Sequence, residues 1–422
     1  MKYLGIIFVL FLAFPYTQII PLDSYTQPNF LVVGSLIFLL TFKFIKYIPF
    51  QDRLALSGLA AIGCMLFFIS CYPYGNPQEY KYLLNYLAPL VLTTAAIQML
   101  KNYKNLMVFS LQFSICVWFF VSAVQSLFNP GFMTTLLGSW GVSAFDIASS
   151  GRGVLGFAPE PTHHAFHILI LGACLALLDS SRRSTILVVL CIIEAIVWAK
   201  SSSAAMALGM AFLVYLALLK PLLGSVFAGC VVLSFSSAQV LLSLVLPESS
   251  RMYNLLSEAI QQPANILLID YSVNVRLGGF LATFIDVLDN FFLPRGMSHD
   301  VWGEASTSIL AKHEWLLDLS QTGPPSGIGV LAFQGGILVL PFIFLMFYRI
   351  LGVRVVGGIR KIVIISTFFI FLGQYYLSAS GFALLYACSI YQANRSTRKF
   401  THQLPHDDQL IISSIKNTPN ET

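Results

Sequence analysis

The chain has 422 residues, of which 57% are hydrophobic and only 10% are charged, and its formal net charge is +5. Soluble domains carry roughly a quarter charged residues, so this composition excludes an ordinary soluble enzyme. Apolar runs of about 20 residues recur along the chain, and each is long enough to cross a hydrocarbon core of roughly 30 Å. Because these apolar runs are continuous and not alternating, and because helices satisfy their own backbone groups in lipid, the sequence predicts an all-α, polytopic integral membrane bundle.

About twelve transmembrane helices are predicted, in chain order. They cover residues 2–21, 30–50, 54–72, 83–100, 106–127, 162–178, 184–199, 202–219, 221–246, 328–348, 361–377 and 380–393. The first run lacks a small-residue cleavage site and further apolar runs follow it at once, so it is interpreted as a helix and not as a cleaved leader. Residues 1–400 therefore form one predicted transmembrane domain, and the polar tail 401–422 is predicted to be a disordered cytoplasmic segment.

The distribution of lysine and arginine predicts the orientation. With a cytoplasmic N-terminus, most basic residues fall in cytoplasmic loops, including Arg53, Arg182 and Arg349, whereas most acidic residues fall on the opposite face. The positive-inside rule thus predicts that both termini are cytoplasmic and that loops 128–161 and 247–327 lie outside. The positive charge is explained by topology, so no nucleic acid is expected as a partner.

The long loop 247–327 is predicted to be ordered. Its apolar, periodic segments Met252–Ile260 and Val275–Leu288 are typical of amphipathic helices lying over a membrane domain. The seven cysteines lie in or beside apolar runs and form no CxxC pair, so neither a disulfide framework nor a zinc site is predicted. No cofactor is expected.

One polar motif precedes the predicted helix at 162–178. It runs from Gly151 to His164, with Arg152 between two glycines and Glu160 between two prolines. Charges so close to the membrane are costly unless they face a wet cavity or each other. The motif indicates either a functional site or an ion pair that closes the loop.

Two further motifs lie in the long loop. Asp270 to Arg276 opens an apolar periodic segment, so the pattern fits a functional arginine or an ordinary capped surface helix. Pro294 to His299 is a turn that presents Arg295 and the imidazole of His299. That histidine is a candidate catalytic group or a structural hydrogen-bonding residue.

Histidines cluster in one turn, and one acid interrupts an apolar run. His163 and His167 share a helical face, but no further ligand set accompanies them, so no metal is predicted. Glu194 lies inside the predicted helix 184–199, where an acid is a functional suspect by default. It fits either a hydrogen-bonded pair with a neighbouring helix or the proton path of a transporter.

Taken in order, these motifs resemble the bacterial O-antigen and capsule repeat-unit polymerases, the Wzy family, which is related to the O-antigen ligases. The likeness extends over roughly 150–345 and includes the layout of helices and loops. The motifs that carry it are Gly151-Arg152-Gly153, Pro159-Glu160-Pro161, Lys200-Ser201-Ser202-Ser203, Asp270-x-Ser272-x-x-x-Arg276, Gly327-Ile328-Gly329 and Gln334-Gly335-Gly336-Ile337.

The resemblance implies an inverting, metal-independent glycosyl transfer on the outer face of the bacterial cytoplasmic (inner) membrane. The donor is then a glycan on undecaprenyl pyrophosphate, and the acceptor is the terminal hydroxyl of a lipid-linked repeat unit. Membrane lipid is the surrounding partner, and a chain-length regulator is a candidate protein partner. An anionic lipid donor requires arginines at the membrane surface, because their forked donors suit phosphate.

The resemblance, together with the predicted topology, suggests the residue roles. Arg152, Arg276 and Arg295, together with Asp270, are expected to bind the substrate. Glu160 is the first candidate for the group that orients or deprotonates the acceptor hydroxyl. His299 is the second.

Three alternatives remain. Ligases carry an essential histidine in their long loop, and His299 or His313 is a candidate for that place. A polysaccharide flippase or transporter predicts charges at mid-membrane depth, where Glu194 is the clear case. A non-catalytic scaffold predicts that the loop charges are spread over solvated surface.

Overall fold

The computed structural model describes most of the chain, and all regular structure in the described residues is helical. This confirms the all-α fold class. The described residues are 2–19, 26–70, 77–226, 278–319, 326–355, 357–373 and 375–403, with Tyr253, Asn254, Ser257, Glu258, Gln261, Gln262, Leu268, Asn274 and Pro324.

Fourteen α-helices are present in these residues. They are α1 (Lys2–Ala13), α2 (Asn29–Thr41), α3 (Phe50–Ser70), α4 (Pro77–Leu127), α5 (Ala144–Ser149), α6 (Pro161–Leu178), α7 (Arg182–Ile193), α8 (Ser202–Leu219), α9 (Gly279–Asp289), α10 (His299–Lys312), α11 (Gly327–Gly335), α12 (Leu340–Gly352), α13 (Gly358–Leu372) and α14 (Ser380–Gln403). Shorter 3-10 turns cover Phe42–Tyr47, Thr134–Ser143 and Gly336–Leu338, and a π-helical turn covers Glu194–Trp198.

Three of the described helices are long and apolar enough to cross a membrane: α3, the Tyr80–Leu127 part of α4, and α6. These three helices indicate a membrane protein. Other apolar helices are shorter, and the 12 and 13 residues of α1 and α2 span only about 18–20 Å at 1.5 Å per residue. Most of the predicted helix 221–246 lies outside the described residues.

Helix α4 is interrupted by a break in its middle. As a single rod its 51 residues would extend roughly 75 Å, more than twice the thickness of a hydrocarbon core. Tyr103 leaves the helical region, with φ −140° and ψ 40°. The break separates the two predicted helices 83–100 and 106–127.

Polar contacts at one end of the bundle, here called the basic end, join helix termini. Arg349 of α12 donates through Nε and Nη2 to the Asp52 carboxylate of α3, at 2.9 and 2.8 Å. Arg360 of α13 donates to the Asp179 carbonyl at 2.8 Å. Burial by itself would raise the pKa of the Asp179 carboxyl, but hydrogen bonds, foremost from Ser184, lower it overall. These contacts join the termini of α3, α6, α12 and α13.

Other helix termini meet at the opposite end, here called the loop end. The Ser380 hydroxyl at the start of α14 donates to the Leu12 carbonyl near the end of α1, at 2.9 Å. The Gly327 N–H at the start of α11 donates to the Gly373 carbonyl just after α13, at 2.8 Å. The segment 128–161 connects to the start of α6 at this end. The helix termini are therefore sorted into two groups.

The predicted continuous helix 328–348 is broken in the structure. Gly336 has φ +52° and separates α11 from α12. Backbone N–H groups of Arg295 and Gly296 donate to the carbonyls of Phe333 and Gln334, at 3.2 and 3.0 Å. A segment of the long loop therefore satisfies backbone groups that the break leaves without helical partners.

The long loop contains helices in its described part. Helix α9 confirms an amphipathic helix over residues 279–288 of the predicted segment Val275–Leu288, whereas most of Met252–Ile260 lies outside the described residues. At the C-terminus α14 continues to Gln403, beyond the predicted start of the tail, and 404–422 lie outside the described residues.

Candidate functional site

The segment Gly151–Glu160, here called the glycine-rich loop, is folded tightly against the bundle. Gly153 has φ +97°, and a Cβ there would lie 2.3 Å from the backbone oxygen of Ala199. The next residue, Val154, donates its N–H to the Trp198 carbonyl at 3.0 Å. Only glycine permits both the dihedral angle and this close approach of two backbones.

A glutamine of α4 holds the same loop from the other side. Gln125 accepts the N–H of Gly156 at 2.7 Å and donates to the Gly156 carbonyl at 3.0 Å. Its amide also donates to the Phe132 carbonyl at 2.8 Å. Because Gln125 is 1% exposed, this contact joins the loop to the interior of the bundle.

Arg152 and Glu160 lie at the two ends of this loop. The Arg152 side chain is exposed and makes no ion pair with a described residue, so the alternative of a loop-closing ion pair with Glu160 is not found. Glu160 is half-buried at the residue preceding α6, in extended conformation, and its side chain does not cap the helix.

A buried polar cluster lies behind the glycine-rich loop. His164 Nε2 is 2.8 Å from Glu194 Oε1, and both side chains are fully buried. The Ser122 hydroxyl donates to the same carboxylate oxygen at 2.9 Å and lies 3.3 Å from His164 Nε2. The other ring nitrogen, Nδ1, is 3.2 Å from the Val154 carbonyl. The cluster thereby connects Glu194 to the backbone of the loop.

The backbone around Glu194 changes helical type. Glu194 begins a π-helical turn, a local insertion that occurs frequently at functional sites. Its Oε2 atom is buried without a hydrogen-bond partner among the described residues. Trp118 stacks on the His164 ring with centroids 5.1 Å apart. The pair is therefore held among apolar and aromatic groups.

His167 belongs to a separate hydrogen-bonded chain. Its Nε2 is 3.0 Å from the Ala13 carbonyl, which only accepts, so Nε2 donates and Nδ1 accepts from the Tyr375 hydroxyl at 2.9 Å. Both ring nitrogens are thus occupied. No group of three or more potential metal ligands occurs in the described residues. Because both ring nitrogens of His167 are hydrogen-bonded, neither is available to bind a metal together with His163.

A polar cavity of about 320 Å³ lies between α9 and α10. Arg295 donates through Nε and Nη2 to Asp286, at 3.3 and 2.8 Å, and is 35% exposed. Glu304, Lys312 and His313 line the same cavity. Two of the three guanidinium nitrogens of Arg295 are thus engaged by a carboxylate that the sequence analysis did not single out.

The remaining predicted site residues are only partly placed. Asp270 and Arg276 lie outside the described residues, and His299 begins α10 although its side chain is outside the described part. The buried Asn274 donates to the Trp315 carbonyl at 2.7 Å.

A larger cavity of about 660 Å³ lies at the basic end, between α8, α12 and α13. Its lining is mainly apolar, and Lys361 beside it donates to the carbonyls of Leu351 and Val353. It is remote in the fold from the glycine-rich loop and is not part of the candidate site.

Sequence reasoning singled out His164 and Glu194 separately but did not pair them, and it missed Ser122 and Gln125. The available signal was a glutamate inside an apolar run and a histidine in the first turn of α6, the apolar helix before it. In comparisons with known proteins, the chain matches no family model and no curated protein.

Proposed function

We propose that this protein polymerises lipid-linked oligosaccharide repeat units on the outer face of the cytoplasmic membrane. The products are O-antigen, capsule or exopolysaccharide chains. The reaction is an inverting, metal-independent glycosyl transfer from a glycan on undecaprenyl pyrophosphate to the terminal hydroxyl of a second lipid-linked unit. The proposal combines the motif resemblance with the arrangement of the loop end.

One observation carries the proposal: the glycine-rich loop presents an exposed arginine and a half-buried carboxylate while its middle is held inside the bundle. Arg152 is suited to a pyrophosphate, whose leaving charge needs neutralisation. Glu160 is suited to orienting or deprotonating a hydroxyl. Both belong to one short segment whose backbone is anchored to the bundle. The anchored backbone keeps the two side chains oriented, and catalysis depends on such orientation.

The proposed orientation places the loop end outside and both termini in the cytoplasm, with about twelve spans. The separation of helix termini into two groups is compatible with this alternation. Shorter apolar helices such as α1 and α2 complete their crossings with the irregular segments that follow them, which is tolerated where backbone is buried in protein.

A flippase or transporter of lipid-linked glycans is the second candidate. The observation in its favour is the fully buried pair of His164 and Glu194, because ionisable groups deep in membrane helices mark proton and substrate paths in transporters. If the protein is a polymerase, the pair of His164 and Glu194 has a role other than proton or substrate transport.

The test is the glycan ladder of a deletion strain. Loss of all chains longer than one repeat, with the single-repeat glycolipid retained, supports a polymerase. Loss of the single repeat as well supports a ligase or flippase and contradicts the proposal. Purified protein should also extend lipid-linked repeat units in excess chelator, and activity that returns only with added metal would contradict metal independence.

A further inference from the structure

We propose that Phe291–Leu293, here called the apolar tip, inserts into the hydrocarbon region of the membrane leaflet at the loop end. The tip follows α9 in the long loop, and its partner is the acyl chains of membrane lipid. Its insertion fixes the height of the adjoining segment that contains Arg295.

The side chains of the apolar tip are open to the surroundings of the protein. Phe291 is 86% exposed, Leu293 is 59% exposed and Phe292 is 37% exposed. Leu288, three residues before Phe291, is exposed as well. A contiguous apolar surface of this kind marks contact with a membrane or with another protein.

The tip is continuous with an exposed apolar row on α12. The Phe292 carbonyl accepts the N–H of Ile337 at 2.8 Å, and the side chains of Ile337 and Leu338 are exposed. Phe344 and Tyr348 continue the exposed row along α12, and residues 337–348 include no charged side chain. Helix α12 packs against α3, which is long and apolar enough to cross a membrane. Lipid that surrounds α3 and α12 is therefore in reach of the tip.

The lengths of α3 and α12 give the depth of the tip. From Asp52 to Ser70, α3 rises roughly 27 Å, close to the hydrocarbon thickness of about 30 Å. Arg349 of α12 pairs with Asp52, and Ile337 precedes Arg349 by 12 residues, or roughly 18 Å. Gly296 lies at the Ser70 end, because a Cβ on it would collide with the Ser70 hydroxyl. The tip, bonded to Ile337, is thus several ångströms deeper than Gly296.

The backbone of the tip is suited to this depth. Its three N–H groups donate, in chain order, to the carbonyls of Leu288, Val287 and Asn290, at 2.9, 2.9 and 3.0 Å. The Asn290 side chain donates to the Leu293 carbonyl at 3.0 Å. Irregular backbone at membrane depth requires such partners within the protein, because lipid offers none.

The backbone conformation indicates that the two rings have a role of their own. Phe291 and Phe292 have φ +53° and +58°, in the left-handed region that disfavours bulky side chains. A turn required only for its backbone would favour glycine at such positions. Strained residues of this kind persist at functional positions, where the surrounding structure holds them. Membrane insertion supplies a function for the exposed rings.

Tryptophan fluorescence tests the insertion. The full-length protein carrying Phe291→Trp or Leu293→Trp is reconstituted into phosphatidylcholine vesicles, either plain or with bromine atoms on the acyl chains. Bromine quenches tryptophan only at short range. Phe344→Trp on α12 is the lipid-facing control, and the exposed Asp300→Trp in α10 is the control in the long loop. The parent protein supplies the background of the five native tryptophans, which is subtracted.

Brominated acyl chains should quench the tryptophan at 291 and at 293 about as strongly as that of Phe344→Trp, and several-fold more strongly than that of Asp300→Trp. Quenching no greater than for Asp300→Trp would overturn the proposal. Blue-shifted emission without quenching would also overturn it, because a protein partner or a second copy would then cover the tip. The measurement uses two tip variants, so a folding defect in one leaves the other to decide.

The insertion and the proposed function can fail separately. The quenching measurement needs no glycan and does not depend on which face of the membrane the loop end occupies. An unquenched tip would leave the polymerase proposal standing, and a deletion strain with normal glycan chains would leave the insertion standing.

Discussion

At the scale of single residues, the buried carboxylates Asp52 and Glu194 each have an ionisable partner. Asp52 is 3% exposed in its side chain and accepts two hydrogen bonds from Arg349 and a third from the Tyr386 hydroxyl at 2.9 Å. His164 and Glu194 are paired within the bundle. A buried charge that loses its partner retains its desolvation cost, so single substitutions should be more damaging than double ones.

The Asp52 pair gives a stability prediction. Asp52→Ala should lower the free energy of unfolding by about 2–3 kcal/mol, less than for a fully buried pair because Arg349 is 26% exposed. The double variant Asp52→Ala/Arg349→Ala should lose less than the sum of the single variants. Thermal unfolding in detergent measures both. Strict additivity would contradict energetic coupling across the basic end.

Arg152 gives an activity prediction. Arg152→Ala should reduce polymerisation by a factor of roughly 30 to 1000, as expected when one transition-state donor is removed. Membrane abundance should not change, because the side chain is exposed. Arg152→Lys should remain impaired since it keeps the charge but loses the planar fork. The measurement is the chain-length distribution of the glycan.

The matched control for Arg152 is Arg183→Ala, an exposed arginine beside the start of α7 at the basic end. It should leave the ladder unchanged. A normal ladder from well-expressed Arg152→Ala protein would remove this residue from the site.

At the scale of elements, two short irregular segments position the loop end. The glycine-rich loop is held by Trp198 and Gln125, and the segment containing Arg295 fills the break between α11 and α12. In both, backbone approaches backbone at a glycine with positive φ. Such positions tolerate a side chain poorly, because the contacting atoms cannot rotate away.

Gly153 and Gly151 form a matched pair for testing the loop. Both have positive φ, but a Cβ at Gly151 meets nothing within 4 Å, whereas one at Gly153 collides with the Ala199 oxygen. Gly151→Ala should cost about 1 kcal/mol from backbone strain and retain activity. Gly153→Ala should displace the loop and abolish the long-chain ladder. Equal effects of the two substitutions would show that the close approach is unimportant.

The helix break provides a second element-scale prediction. A Cβ at Gly336 would lie 2.2 Å from the Phe292 oxygen, whereas one at Gly352, in the same stretch of chain, meets nothing within 4 Å. Gly336→Ala should detach the segment 291–296 and increase its proteolysis, while Gly352→Ala should leave it protected. Limited proteolysis in detergent compares them, and similar cleavage of both variants would contradict the docking.

At the scale of the whole molecule, the helix termini meet in two groups, one at each end of the bundle. The two groups also differ in their basic residues. Arg182, Arg349 and Arg360 belong to the basic end, and the glycine-rich loop belongs to the loop end. The proposed chemistry requires the loop end to face outward, where lipid-linked units are presented.

Reporter fusions test this orientation. Fusions at Arg183 and Asp300 should give opposite signals, cytoplasmic at Arg183 and external at Asp300, because the positive-inside rule assigns them to opposite faces. Fusions at each predicted loop would also test the number of spans. A cytoplasmic signal at Asp300 would place the candidate site on the wrong side for the proposed reaction.

The sequence by itself determined the helical class and indicated a membrane protein. Hydropathy and charge are local properties, so they can be summed along the chain without knowing which helices touch. The proximity of Arg152 and Glu160 within one loop was visible for the same reason.

Only the tertiary structure decided which distant groups meet. Glu194 lies 30 residues from His164 and 72 from Ser122, and packing brings all three together across α4, α6 and the π-helical turn. The commitment of Arg295 to Asp286 and the break at Gly336 also depend on contacts between segments. No periodicity specifies these contacts, because the free energy that selects them comes from burying polar groups with partners, which is a property of the packed bundle.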